Sequence, residues 1–351
     1  MSTTICAAPT PSRVARITRP RRTVLAAALA AAALALSGCG LRLETPPPVE
    51  PSPDALEQVR ARTVGDALAL QAAAQDALAT TTDEVAEPLL NDVVTFSAQH
   101  VAALGGRYDS GIEPGTDAEP GPDGEPTATP SVAPTAAAVT AQDVLALLGD
   151  TTTTAGTDAD STADGPLARL VGAIAVSRAD LTDRLAAALG EDSSGPALPE
   201  AVVVPPEVDV AVAGPLALAH DEAGYALEVV AARGPAETRK ATLAAARTHR
   251  AAGESWASAA GVAGTEQDPR LAQYGLPTDL DQDGALNRLA VAVQDGIARA
   301  STAALAAVPA GARDTYLDGL RLAVHEARTL GAPPAAFPGL PEQTEPAQPQ
   351  G

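Results

Sequence analysis

Apolar residues recur three and four positions apart through most of the chain, and that period is helical. Leu56, Val59, Thr63, Ala67, Leu70, Ala74 and Leu78 trace one stripe behind Asp54, so a helix is predicted from this capping residue to about Thr82. Val85, Leu89, Val93, Phe96, His100 and Ala103 trace a second, from about Glu84 to Leu104, stopped by Gly105-Gly106. His100 therefore points inward. Two more helical stretches are predicted at about Thr140 to Thr154 and Pro166 to Leu189, with the polar run GTDADSTADG as the loop between them. The second carries Leu167, Leu170, Val171, Ile174, Leu181, Leu185 and Ala188 on one face, with Arg178 among them. An unpaired buried charge costs several kcal/mol, so Arg178 needs a carboxylate or solvent. Asp66, beside the first stripe, is available.

A second set of four helices is predicted at about Ala213 to Arg233, Pro235 to Val262, Gly284 to Val308 and Gly311 to Leu330. Pro235 suits a first helical turn, and Gly234 suits the end of the preceding helix. Leu286, Leu289, Val293, Ile297, Ala300 and Ala304 form a near-heptad stripe. The first helix of this set is apolar on two sides, Leu216, Ala219, Ala223, Leu227 and Val230 on one and Leu218, Tyr225 and Val229 on the other. A helix of that kind lies between layers, so contact with the first set is expected through it. Between the sets, residues 191–211 hold Pro196, Pro199, Pro205 and Pro206 and read as a linker.

Alanine dominates, and no long alternation of strand type is present; the one β-leaning run, Ala201 to Val204, meets Pro205-Pro206. The expected fold class is all-α: two four-helix-bundle units, at 54–190 and 212–342. The acidic Pro/Thr-rich stretch at 107–138 and the tail at 343–351 cannot bury enough apolar area to offset ordering, and both read as disordered. Residues 39–53 are proline-rich and read as a stalk reaching about 40 Å at roughly 3.1 Å per residue.

The N-terminus sets the compartment. Arg13, Arg16, Arg19, Arg21 and Arg22 precede a thirteen-residue apolar run, Val24 to Leu36, which is too short to span a bilayer as a stable helix. Leu36-Ser37-Gly38-Cys39 follows, and this resembles the lipobox of bacterial lipoproteins. The resemblance implies a signal peptide at 1–38, cleavage before Cys39, fatty acylation of that cysteine (palmitate being the type of chain added), and attachment to the extracytoplasmic face of the cell membrane. Arg21-Arg22-Thr23-Val24-Leu25 also fits the core of a twin-arginine signal. Losing the five leader arginines takes the net charge from −21 to −26, so phosphates repel the body and nucleic acid is a poor partner. A neutral or cationic partner is expected, whether a ligand or an envelope protein. Cys6 leaves with the leader and Cys39 carries lipid, so no disulfide staples the mature chain.

Residues from about Gly214 to Glu342 resemble a ferritin-like domain of unknown function found in secreted bacterial proteins. The residues that carry the likeness are His220 and Tyr225 in AHDEAGY, His249-Arg250 in ARTHRAAGESW, Tyr274 to Pro277, and Phe337 to Pro341. The resemblance implies a bundle and no particular activity. His100 opens HVAA and His249 opens HRAA, each on the second helix of its set, which suggests that the first set is a diverged copy of the second.

A dinuclear metal centre in such a bundle needs inward Glu residues and Glu-x-x-His pairs, but Ser97, Ala217, Ala246 and Leu322 stand three before the four histidines. A simpler transition-metal site from His220, His249 and His325 is the rival reading to satisfied core and surface histidines. Asp279, Asp281 and Asp283 with Gly284 alternate as in a calcium loop, yet position twelve is Ala290 where such a loop needs Glu; the same acids could cap the next helix, with Asp283 as N-cap. No phosphate loop or nucleophile elbow is present, and no catalytic residue or confident cofactor is nominated. The expected function is a membrane-anchored, extracytoplasmic, non-enzymatic binding or scaffolding module; the alternative is a metal-binding or redox bundle using inward histidines.

Overall fold

A computed structural model describes residues 53–108 and 138–343. The signal peptide, Cys39 and the stalk up to residue 52, the insert at 109–137 and the tail from 344 lie outside the described residues. Among those described there are eight α-helices and no strand. They are α1 (Ala55–Leu78), α2 (Ala86–Ala103), α3 (Ala141–Ser161), α4 (Gly165–Leu189), α5 (Val210–Arg233), α6 (Ala236–Ala259), α7 (Ala285–Ala307) and α8 (Asp314–Thr329). None of the described helices is long and apolar enough to cross a membrane.

In the first set α1 packs on α2 and α3, and α4 packs on the other side of both α2 and α3, which closes a four-helix bundle. The second set repeats the pairing, with α5 against α6 and α7, and α7 against α8. Caps fall where short polar side chains permit them. Asp54 accepts from the Glu57 N–H, Asp164 from the Leu167 N–H, and Thr140 with Asp143 forms a reciprocal capping box.

The structure extends α3 to Ser161, through the first six of the ten residues expected to form a polar loop, and leaves Thr162 to Asp164 as the turn. The thread of threonines folds onto the helix itself, since Thr151, Thr153, Thr154 and Thr157 each donate to the carbonyl four residues back. Asp158 is buried there because Arg62 grips it at 2.8 and 2.7 Å. On α2 the buried line is Ala86, Leu90, Val93, Ser97 and His100, one step around from the expected stripe, and Val85 is 61% exposed.

Helix α4 joins the sets, in place of the expected α5. It is buried on nearly every side and packs on α2 and α3 within its own set and on α7 and α8 of the other. The approach is made possible by Gly172, where an added Cβ would stand 2.8 Å from Leu305 and 3.1 Å from Leu317. Arg178, fully buried on this helix, meets Asp66 at 3.6 Å and donates to the carbonyls of Thr151 and Thr63 at 3.1 Å. Burial pulls its pKa down to about 10, while Asp66 opposes the shift.

Two further contacts tie the sets together. Arg313, 1% exposed, donates to the carbonyls of Ala159, Asp160 and Thr162 at the end of α3, and to those of Leu305 and Val308 at the end of α7. The terminal carbonyls of a helix have no partner inside it, so one guanidinium completes two helix ends. The segment after α8 crosses to the first set: the Ala336 carbonyl accepts from His100 Nε2 at 2.9 Å, the Ala335 carbonyl accepts from Ser177, and Phe337 stands edge-on to the His100 ring at 5.2 Å. His100 is held neutral with its proton on Nε2; burial, helped by the Arg178 charge, lowers its pKa to about 3. The segment read as a linker at 191–211, whose last two residues open α5, is pinned on both sides, since Ser194 donates to the Leu145 carbonyl and Arg321 to those of Pro196 and Ala197.

Arg313→Lys keeps the charge but loses the fork, leaving several buried carbonyls without a donor. A loss of roughly 2–3 kcal/mol is expected in urea-unfolding curves; an unchanged midpoint would show that water serves these carbonyls equally well.

Candidate functional site

Four polar side chains meet inside the second set, one from each helix. His220 on α5 and His249 on α6 face each other with Nδ1 atoms 3.1 Å apart and ring centroids 5.4 Å apart. Their helices are drawn together at Gly253, where an added Cβ would lie 3.0 Å from the Ala217 carbonyl oxygen. On the far side of His249, Gln294 Nε2 on α7 stands 3.0 Å from Nε2, and Glu326 Oε2 on α8 stands 3.2 Å from the same nitrogen. Gln294 Nε2 also donates to Glu326 Oε2 at 2.6 Å.

The orientation of the Gln294 amide follows from this geometry. Its nitrogen must face the carboxylate, since an amide oxygen at that distance would be repelled. His249 Nε2 either accepts from that amide or donates to Glu326, and in both cases one proton lies between the two facing Nδ1 atoms. Desolvation first, and the His249 neighbour second, lower the His220 pKa to about 3.

A second polar knot adjoins this one. Asp221, next to His220 and 6% exposed, pairs with Arg250 Nη1 at 2.8 Å and accepts from the Tyr274 hydroxyl at 2.7 Å. Tyr274 accepts in turn from the Leu271 N–H, and burial pushes its pKa up to about 12. The Arg250 guanidinium lies 5.8 Å from the centre of the Tyr225 ring, which packs against Tyr274 at 5.6 Å. Trp256 of α6 stacks on Tyr316 of α8 at 5.7 Å. The short motifs singled out in the sequence thus converge: His220 with His249, and Tyr225, Arg250 and Tyr274 around Asp221. Phe337 to Pro341 lie elsewhere, in the segment that crosses to the first set.

The other expected ligands are placed apart. His325 lines a separate cavity of about 310 Å³ between α4 and α8, with Asp180, Asp183, Arg184, Arg321 and Arg328. Asp281 is fully in solvent and meets Arg233 at 3.4 Å. Asp283 does not cap α7, because the helix begins at Ala285 with Gly284 as its N-cap in left-handed conformation and no side-chain cap bond. Instead the Asp283 carbonyl accepts from Arg288. Among the described residues no three His, Cys, Asp or Glu side chains converge where a metal ion could be held.

A groove of about 870 Å³ opens beside the histidine cluster. Leu227 and Val230 of α5, Ala245 of α6, Leu286 and Ala290 of α7 and Leu330 after α8 form apolar walls; Gln294 and Glu326 lie at one end, and Asp281, Asp283 and Arg233 along the rim. Gln294 and Glu326 escaped the sequence reading. Gln294 had a signal, because it falls four after Ala290 and three before Ile297 on a buried face; Glu326 had none beyond adjoining His325.

The architecture defines the second set as a four-helix bundle whose interior polar residues come from all four helices. Residues 211–342, from the start of α5 to the 3₁₀ turn at Pro341–Gln343, match the family model described as "Domain of unknown function (DUF4439)", and α1 to α4 lie outside the match. No curated protein and no solved structure matches the chain.

Neutral buried His220 and His100 give a defined acid response. Each has a native pKa below the unfolded value near 6.5, so its contribution is complete above pH 6.5 and is lost as pH falls toward 3. Chemical unfolding across that window should lose about 1.4 kcal/mol per pH unit for each ring. His220→Gln should remove one ring's share of the slope and adding His100→Gln a second; unaltered slopes would rule this out.

Proposed function

We propose that this chain is a lipoprotein, held by an acylated Cys39 on the extracytoplasmic face of the cell membrane, whose helical body is a non-enzymatic binding module. The order of basic leader, short apolar run and Leu36-Ser37-Gly38-Cys39 supports the anchor. The mature charge of −26 supports a neutral or cationic partner, since anionic surfaces would repel it.

The observation that carries the binding reading is the groove between α5, α6, α7 and α8. Its volume of about 870 Å³ falls in the range of small-ligand sites, and its lining joins apolar walls to a few polar groups at one end. The polar end is stiffened from behind, because Gln294 and Glu326 are bonded to each other and to His249, which leans on His220. Such support holds recognition groups in place before a ligand arrives.

One observation favours the second reading, a metal site. Two histidine Nδ1 atoms 3.1 Å apart, with a carboxylate behind His249 Nε2, have the outline of two ligands and an outer-shell partner. It would need further ligands from outside the described cluster. The proton shared by the two rings accounts for the same spacing without an ion.

Two measurements test these statements. Mass spectrometry of the membrane-extracted chain should show a mature start at Cys39 with fatty acyl mass on its thioether; an intact leader or a free thiol there would refute the anchor. Elemental analysis of protein purified without a chelating tag should find iron, zinc and copper well below one atom per chain, whereas a stoichiometric metal lost in His249→Ala would install the second reading.

A further inference from the structure

We infer that the groove takes a small organic cation, an apolar body carrying a protonated amine that pairs with the Glu326 carboxylate. This rests on the reading of the groove as the ligand seat, and adds the chemical class of what sits there.

Gln294 is 2% exposed and donates to Glu326 Oε2 at 2.6 Å, so one carboxylate oxygen is held from inside the bundle. The amide cannot turn, because reversal would set its oxygen against that carboxylate. The carboxylate is thereby presented to the groove with its second oxygen open to a donor, and a ligand ammonium supplies one with the matching charge.

Charge selects in the same direction. Of the ionised groups lining the groove, Arg233 is matched by Asp281, which leaves Glu326 and Asp283 without a facing cation. Glu326 is 40% exposed at its side chain, so a ligand can reach it, and its remaining contacts are the Gln294 amide and the His249 ring. An anionic ligand would meet two carboxylates. A neutral alcohol could donate to Glu326 but would leave its charge uncompensated.

The apolar walls define the rest of the ligand. Leu227, Val230, Ala245, Leu286 and Leu330 surround a space that a short hydrocarbon or aryl chain would fill, displacing water from apolar surface at roughly 25 cal/mol per Å². A bare metal cation or a fully hydrated polyamine would forgo that gain. The matching ligand is amphipathic.

The test uses three probes of equal body and different head: 4-phenylbutylamine, 4-phenyl-1-butanol and 4-phenylbutyrate. Each is titrated calorimetrically into the full chain carrying Cys39→Ser, which removes the proposed acyl group so that no lipid absorbs the probe. The amine should bind at least tenfold more tightly than the alcohol, and the carboxylate should not bind. Glu326→Gln should weaken the amine about tenfold or more while leaving the alcohol unchanged, and Ala245→Phe, placed on the opposite half-exposed wall, should abolish both. Equal binding of amine and alcohol, with no response to Glu326→Gln, would overturn the cation while leaving the groove as a seat. Absence of binding by any probe would overturn the cation and remove the support for the groove as well. Melting curves for both variants confirm that each is folded before its affinity is read.

Discussion

Buried helix ends set the terms on which this chain folds. A helix leaves its last carbonyls unbonded, and where eight helices pack in two layers of bundle those carbonyls cannot all reach water. Here arginine side chains supply the donors. Arg313 serves the ends of α3 and α7, Arg60 serves the Leu104 and Gly106 carbonyls after α2, and Arg239 serves the Ala231 carbonyl near the end of α5. Lys240 is the sole lysine in the sequence, and the bias has a physical sense: a planar fork reaches two or three carbonyls at once, where an ammonium is a strongly hydrated point charge. Arg178 applies the same device in the middle of the molecule, joining α1 and α3 to α4. With no cysteine among the described residues and few aromatics, such donors fix how small alanine-rich helices sit against each other.

The helical class and the two sets of four were legible because their stripes are long and regular, and α6 and α8 fall within a few residues of expectation. What the sequence hid is instructive. The loop expected before α4 is helix, because Asp158 is tolerated there only once Arg62, 96 positions earlier, arrives to bind it. The joining helix was misassigned because two-sided apolar pattern marks α5 clearly, while α4 hides its burial among alanines and glycines that score as neutral. In the site, the histidines announced themselves. Their partners did not: a glutamine and a glutamate on other helices carry no local pattern, and only the crossing of α7 and α8 makes them neighbours.

The second set divides its polar interior into two knots of different character. Around Asp221 every partner is fixed: a guanidinium, a phenol hydroxyl and a backbone amide account for the atoms, and the knot reads as structural support for the turn that carries Tyr274. Around His249 the Glu326 carboxylate is bonded through one oxygen only and is 40% exposed. That contrast, within one bundle and among residues of the same short motifs, separates the part that holds shape from the part that faces the groove. Residues 211–342, the span matched by the family of unknown function, contain both knots entire.

The bond from His100 to the carbonyl of Ala336 joins positions 236 residues apart. During synthesis, α1 to α4 leave the ribosome long before that carbonyl exists, and so do the partners that Arg313 will complete at the end of α3. The N-terminal bundle can collapse early, yet its His100 ring and terminal carbonyls must wait, hydrated, for Arg313 and the segment after α8 to emerge. Contacts of such sequence separation slow the final step of assembly. Arrival of that segment is thus the event that lets the first bundle dry out and lock.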